Sequence, residues 1–170
     1  FDDYQKLLDD KDINSIYIST PHTSHFEFSY KALMNGKSVL CEKPLTMNSS
    51  EAMLLFNLAK KKQLLLMEAF MYRMHPQTDK IRELVQENFE GKKIEIKASF
   101  GFEAKVKKDH RLLNPKLGGG SILDVGCYPL SMARMIVGLI NGKDFMDPEE
   151  YEVQSEINEH RIDLSSEAKL

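Results

Sequence analysis

A chain of 170 residues carries 23 Lys and Arg against 26 Asp and Glu, a formal charge of −3. That near-neutral balance gives no basic footprint for nucleic acid or an anionic membrane surface, so neither is expected as a partner. At 42% hydrophobic and 29% charged residues, the composition is that of an ordinary globular protein and excludes a disordered one. The longest apolar runs fall short of a bilayer span, so no membrane segment is expected. The opening Phe1-Asp2-Asp3 is no secretory signal. Cys41 and Cys127 form neither a CxxC nor a zinc spacing. A reduced, cytoplasmic compartment and no metal are the expectation. The chain lacks an initiator methionine, which suggests a piece of a longer protein.

Residues 1–13 read as a helix end and a turn. Residues 15–20, short and rich in β-branched side chains, read as a buried strand broken by Pro21. Thr23 or Ser24 can cap a helix that runs to Asn35 and stops at Gly36. Val39-Leu40-Cys41 reads as a second strand, ended at Pro44. Asn48 and Glu51 resemble a capping box ahead of a helix with Ala52, Leu55, Phe56 and Ala59 on one face. Lys60-Lys61-Lys62 suits the negative end of that helix dipole. Residues 64–70 read as a third apolar strand. Strands without polar alternation, separated by helices, predict a parallel sheet covered on both faces.

The pattern changes after residue 75. Pro76 opens an amphipathic helix with Ile81, Leu84 and Val85 on one side. Residues 93–100 alternate strictly, as in an antiparallel strand with one solvated face. A polar loop over 103–117 leads to Gly118-Gly119-Gly120, and residues 122–138 read as a helix stopped by Gly138. Residues 151–157 alternate again. The shift from buried to alternating strands places a domain boundary near 73–76.

The dinucleotide fingerprint GxGxxG is absent, because the glycine run at 118–120 has Leu123 where the third glycine belongs. Ligands of α/β sheets sit outside the carboxyl ends of the strands. Two such ends carry polar residues: Thr20-Pro21-His22-Thr23-Ser24-His25 and Glu42-Lys43-Pro44. A lysine just past a buried strand and pinned by proline can be held in one place, although most turn lysines are simply solvated. Asp124 and Tyr128 lie four residues apart, one face of a helix, behind glycines that allow close backbone approach. A tyrosine with a nearby lysine suits alcohol oxidation. The phenol takes the hydroxyl proton as hydride leaves, and the cation favours its ionised form. The plainer readings are a core tyrosine and a helix-capping aspartate. His25, His75 and His110 are too scattered for a metal cluster, and His75 and His110 read as structural imidazoles. Met67, Met71, Met74, Met132 and Met135 read as core filler.

Four blocks, in order, resemble the Gfo/Idh/MocA oxidoreductases: Ser19-Thr20-Pro21-x-x-x-His25; Cys41-Glu42-Lys43-Pro44; residues 67–76 with Tyr72-Arg73-x-His75-Pro76; and residues 118–129 with Asp124-Val125-Gly126-Cys127-Tyr128-Pro129. The wording is most similar to the branch of D-xylose and dimeric dihydrodiol dehydrogenases. The resemblance implies a partial Rossmann-type parallel sheet in an α/β domain over residues 1–74. Part of an α+β substrate-binding and dimerisation domain, with a mainly antiparallel open sheet, would follow over 75–170. It implies hydride transfer between a sugar or cyclic diol hydroxyl and NADP, or NAD, and a homodimer in the full-length protein. Lys43 matches the family's catalytic lysine, with a cis bond to Pro44, and Tyr128 its proton-transfer residue. Asp124 matches a substrate-orienting acid. Thr20, Pro21, His25 and Glu42 match loops lining the nicotinamide half of the cofactor, with Tyr72 and Arg73 at its edge. The family's glycine-rich turn and cofactor-selecting residue would precede Phe1. The alternative is therefore a catalytically inactive fragment, or a non-enzymatic binding scaffold on the same fold.

Overall fold

The computed structural model describes residues 1–103, 105–107 and 110–170. They divide into two units, Phe1–Ala69 with Lys116–Gly118, and Phe70–Pro115 with Gly119–Leu170.

In the first unit, Asp3 accepts a hydrogen bond from the Gln5 amide and starts a short helix, α1 (Tyr4–Asp9). Strands β1 (Ser15–Ile18), β2 (Ser38–Glu42) and β3 (Leu66–Ala69) form a parallel sheet in that order, with Ile16 opposite Val39 and Val39 opposite Leu66. Helices α2 (His22–Met34) and α3 (Ser49–Lys62) are the crossovers. Leu8, Ala32, Leu33, Leu55 and Ala59 from the three helices share one cluster with Ile16, Ile18, Val39 and Cys41 of the strands. These strand residues all lie on one face of the sheet, since side chains alternate along a strand. The expected covering of both faces is therefore met on one. Tyr17 and Leu40, on the other face, are exposed, because α1, α2 and α3 all pack against the first.

Local signals explain most boundaries. Asn48 caps α3 by accepting from the Glu51 amide, and Glu51 reaches back to the Met47 amide, one residue earlier than a capping box requires. The start of α2 differs from expectation: the helix begins at His22 with Pro21 at the capping position and no side-chain cap. Proline's fixed φ suits helix entry without one. Phe56, expected on the buried face of α3, is exposed, while Leu55 and Ala59 are buried.

In the second unit, a 3-10 turn (Met71–Met74) leads into α4 (Pro76–Phe89), whose first turn is capped by His75 Nδ1 accepting from the Gln77 amide. A π-helical turn (Ile122–Gly126) runs into α5 (Cys127–Ile140). Val85, Met135, Leu139 and Ile140 form the core, with Ile81, Met132 and Ile136 packed on it. Leu84, Met71 and Met74 are exposed and not in this core. Strands β4 (Glu152–Ile157) and β5 (Asp163–Lys169) pair antiparallel. Asn158 Oδ1 closes their turn by accepting from the His160 and Ile162 amides.

Two expectations, residues 93–100 and Gly138, need correction here. Residues 93–100 are not a strand. Alternation supplies a face but not a partner, and β4 and β5 take each other. The polar loop 103–117 lies partly outside the described residues, and its described part holds two short 3-10 turns, Arg111–Leu113 and Pro115–Leu117. Gly138 does not stop α5, which continues to Ile140. A Cβ at 138 would stand 2.3 Å from the Phe145 Cα and 2.5 Å from its nitrogen, so this glycine admits a crossing backbone.

Pro115–Ile140 is, by length and a mean hydropathy of 1.4, apolar enough to cross a bilayer, which the sequence reading did not foresee. It is not one continuous α-helix. Gly118 and Gly120 have positive φ, and the unbroken α-helix has 14 residues. That length is about 21 Å, against the roughly 30 Å of a bilayer core.

Two stability outcomes follow. Gly138→Ala forces the Phe145 backbone to shift and should cost about 1–3 kcal/mol in urea unfolding. Gln63, exposed, ends α3 with φ 56°. Left-handed backbone costs a non-glycine residue roughly 1–2 kcal/mol, and glycine's added chain entropy costs about 0.5–1, so Gln63→Gly should raise stability by about 0.5–1 kcal/mol.

Candidate functional site

The nine residues singled out from the sequence fall into two sets. Thr20, Pro21, His25, Glu42 and Lys43 belong to the first unit, and Tyr72, Arg73, Asp124 and Tyr128 to the second.

Thr20 and Pro21 follow β1, and Lys43 follows β2, which ends at Glu42, so all four stand at the carboxyl ends of parallel strands. Thr20 and Pro21 are exposed, and Glu42 and Lys43 are half-buried. The Lys43–Pro44 bond is cis, as the resemblance implies. His25 has a different part from the cofactor contact expected of it. It is fully buried, and its ring nitrogens lie 2.7 Å from the Pro44 carbonyl oxygen and 2.8 Å from that of Thr20. It therefore joins the loop after β1 to the loop after β2 and presents no free edge to a ligand. From β3, Glu68 Oε1 accepts from the Leu45 amide at 2.7 Å and holds the other side of the Lys43–Pro44 turn. Ser24 Oγ donates to Thr20 Oγ1 at 2.8 Å.

Two groups beside this edge titrate abnormally. The hydrogen bond from Tyr17 to Glu42 raises the phenol above its ordinary value. Burial pushes the Cys41 thiol up to about 12, so Cys41 is a packed apolar group and not a nucleophile.

In the second unit, Asp124 lies in the π turn, 7% exposed, with Arg111 Nη1 3.0 Å from its Oδ1. Tyr128 lies in the first turn of α5. The four-residue spacing between them crosses the junction of π and α geometry, so the regular one-face rule does not carry over. Around the half-buried Tyr128 stand Phe70 at 5.4 Å, Phe100 at 5.4 Å and Tyr72 at 6.1 Å between ring centroids. Edge-to-face contacts of this kind fix a ring's plane. Ser131 Oγ accepts from Tyr72 Oη at 2.9 Å and from Arg73 Nη2 at 2.7 Å. The Arg73 guanidinium also lies 5.6 Å over the Phe70 ring. Tyr72, Arg73 and Tyr128 are thus gathered into one aromatic and hydrogen-bonded group.

Glu68, Arg111 and Ser131 were missed by the sequence reading. An acid inside an apolar strand was the available signal for Glu68, and a small polar residue one turn after Tyr128 was the signal for Ser131. His75 and His110 are structural, each accepting a backbone amide at the start of its turn or helix. Among the described residues no group of three or more His, Cys, Asp or Glu is placed to hold a metal ion.

Parallel strands with helical crossovers and polar loops at their carboxyl ends define a nucleotide-binding α/β unit. Here the strand ends carry an exposed hydroxyl, a carboxylate and an ammonium, from Thr20, Glu42 and Lys43. A family model described as "Oxidoreductase family, NAD-binding Rossmann fold" matches residues 1–70, and one described as the GFO/IDH/MocA C-terminal domain matches residues 78–142. The chain belongs to the Gfo/Idh/MocA family. It is 38% identical over 135 residues to D-xylose 1-dehydrogenase (NADP(+)) 2 of Haloferax volcanii, covering 79% of this chain and 41% of that protein. It is 36% identical over 162 residues to trans-1,2-dihydrobenzene-1,2-diol dehydrogenase of Xenopus tropicalis, covering 95% of this chain and 47% of that one. Among solved structures, a 3-ketoreductase from Actinomadura kijaniata in complex with NADP and TDP-benzene superposes with a TM-score of 0.76 at 32% identity, covering 98% of this chain and 49% of that one. The chain thus spans about half the length of these relatives, or somewhat less.

His25→Ala would leave the Thr20 and Pro44 carbonyls without their partner. The expected loss is about 1–3 kcal/mol in chemical unfolding, from the ring N–H donor and the carbonyl left unsatisfied beside it.

Proposed function

We propose that the protein to which this chain belongs is an NADP- or NAD-dependent oxidoreductase acting on a hydroxyl of a sugar or cyclic diol. The observation that carries this reading is the second unit's Tyr128, set in an aromatic cage four residues after a buried, Arg111-paired Asp124, in a chain whose relatives bear dehydrogenase and reductase names. Tyr128 takes the hydroxyl proton on its phenolic oxygen as the carbon–hydrogen electron pair leaves. In the reductive direction it returns that proton to the carbonyl oxygen. Lys43, on a turn held by His25 and Glu68, supplies a fixed positive charge for the developing oxyanion. Asp124 accepts a second substrate hydroxyl and sets which carbon is presented. Thr20, Pro21 and Glu42 line the nicotinamide end, with Tyr72 and Arg73 at its edge. A bound nicotinamide would accept the hydride.

The related 3-ketoreductase supports the pairing of residues. Its structures include variants in which one lysine and one tyrosine were replaced, and their sequence separation is within one residue of that between Lys43 and Tyr128.

The test is turnover of NADP with a panel of aldoses and cyclic trans-diols, followed by absorbance. Loss of a general base typically costs about 10²–10⁴ in rate. Tyr128→Phe should lower kcat by that factor while cofactor affinity, read by fluorescence, stays unchanged. Unaltered turnover in Tyr128→Phe would refute the assignment.

A further inference from the structure

We infer that Asp163 is a positioning residue for Asp124 and Tyr128: its carboxylate holds the start of the π turn from which both are presented. Asp163 Oδ2 accepts from Ser121 Oγ at 2.7 Å and from the Ile122 amide at 2.7 Å. The first amides of a helix have no partner within it. Asp163 supplies the acceptor from a strand some 40 residues further along the chain.

The holding point is itself fixed. Asp163 is the first residue of β5 and pairs with Ile157 of β4, and Ile162 beside it is buried. Gly120 is explained by the same contact. A Cβ there would stand 2.1 Å from Asp163 Oδ1, so only glycine lets the carboxylate reach the turn. Asp124 is two residues past the held amide, and Arg111 fixes its side chain. One anchor therefore acts on the backbone and the other on the carboxylate. Tyr128 follows on the same helical run, so a shift of the turn moves both groups together. A misplacement of about 1 Å at reacting groups can cost about 10²-fold in rate.

This inference rests on the proposed roles of Tyr128 and Asp124, and the experiment separates the two. Asp163→Ala should lower kcat on the order of 10–10²-fold, with the KM for cofactor unchanged. Asp163→Asn keeps an oxygen able to accept both bonds, and it should recover most of the lost kcat. A merely structural role predicts lower thermal stability without that split or that recovery. Asp163→Ala with wild-type kcat, beside an inactive Tyr128→Phe, overturns the inference and leaves the functional reading standing. Equal kcat losses in Asp163→Ala and Asp163→Asn would place the effect in the charge and also overturn it. Full turnover in Tyr128→Phe sinks the functional reading, and this assignment with it. Should Asp163→Ala fail to fold, Ser121→Ala removes one of the two donors and decides the same question by the same kcat and KM readout.

Discussion

A buried imidazole that bridges two backbone carbonyls is the constraint on which the strand-end loops depend. A carbonyl oxygen sealed from water must find a donor, and the loops after β1 and β2 have no sheet ladder to provide one. His25 sets one ring nitrogen beside a carbonyl of each, at 2.7 and 2.8 Å, from a single rigid ring on α2, and its N–H donates to one of them. Because α2 also buries Ala32 and Leu33 in the sheet's core, the ring is fixed by packing well away from the loops. Glu68 adds the third strand by holding the Leu45 amide. Lys43 thus emerges from a turn gripped on two sides by side chains, and a long, flexible residue is given a defined root. That is the kind of support a reacting group needs from its surroundings.

The first unit was largely legible because its signals are local. Strand runs of four to five residues, breakers at Pro21 and Pro44, and the Asn48 cap each act within a few positions. Its exposed sheet face was not legible, since an apolar residue such as Leu40 reads the same on a covered face and an open one. The second unit turned on pairing, which is not local. Residues 93–100 have a cleaner alternation than Asp163–Lys169, yet only the latter pairs, because the Asn158 turn brings it back onto β4. Gly138 fails for a related reason. A glycine near a helix end reads as a stop, and only the position of Phe145 shows that it is a crossing point.

The candidate site divides in the same way. The residues that would meet a ligand sit in wordings compact enough to read in sequence, such as Glu42-Lys43-Pro44 and Asp124 with Tyr128. The residues that hold them do not. Ser131 meets Tyr72 across 59 positions, and Glu68 meets Leu45 across 23. Nothing in either pattern announces the partner. His25 was legible as important but not as to its part, because a histidine near a strand end suggests a ligand contact until its burial is known.

The glycine run gathers these lessons. In sequence, three consecutive glycines allow close backbone approach. In the structure each is crowded by a different group. A Cβ at Gly118 would meet His22 and Met47 at 2.8 Å, one at Gly119 the Leu112 carbonyl oxygen at 2.6 Å, and one at Gly120 the Asp163 carboxylate. The first of these contacts lies in the first unit and the other two in the second. The run is better understood as three separate close approaches, where any side chain is excluded, than as a flexible link. Each glycine also takes part in a hydrogen bond: the Gly118 carbonyl with the His22 ring, the Gly119 amide to the Asn114 carbonyl, and the Gly120 amide to that of Leu112. The segment just ahead of Asp124 and Tyr128 is therefore held by close approaches and hydrogen bonds at three successive residues.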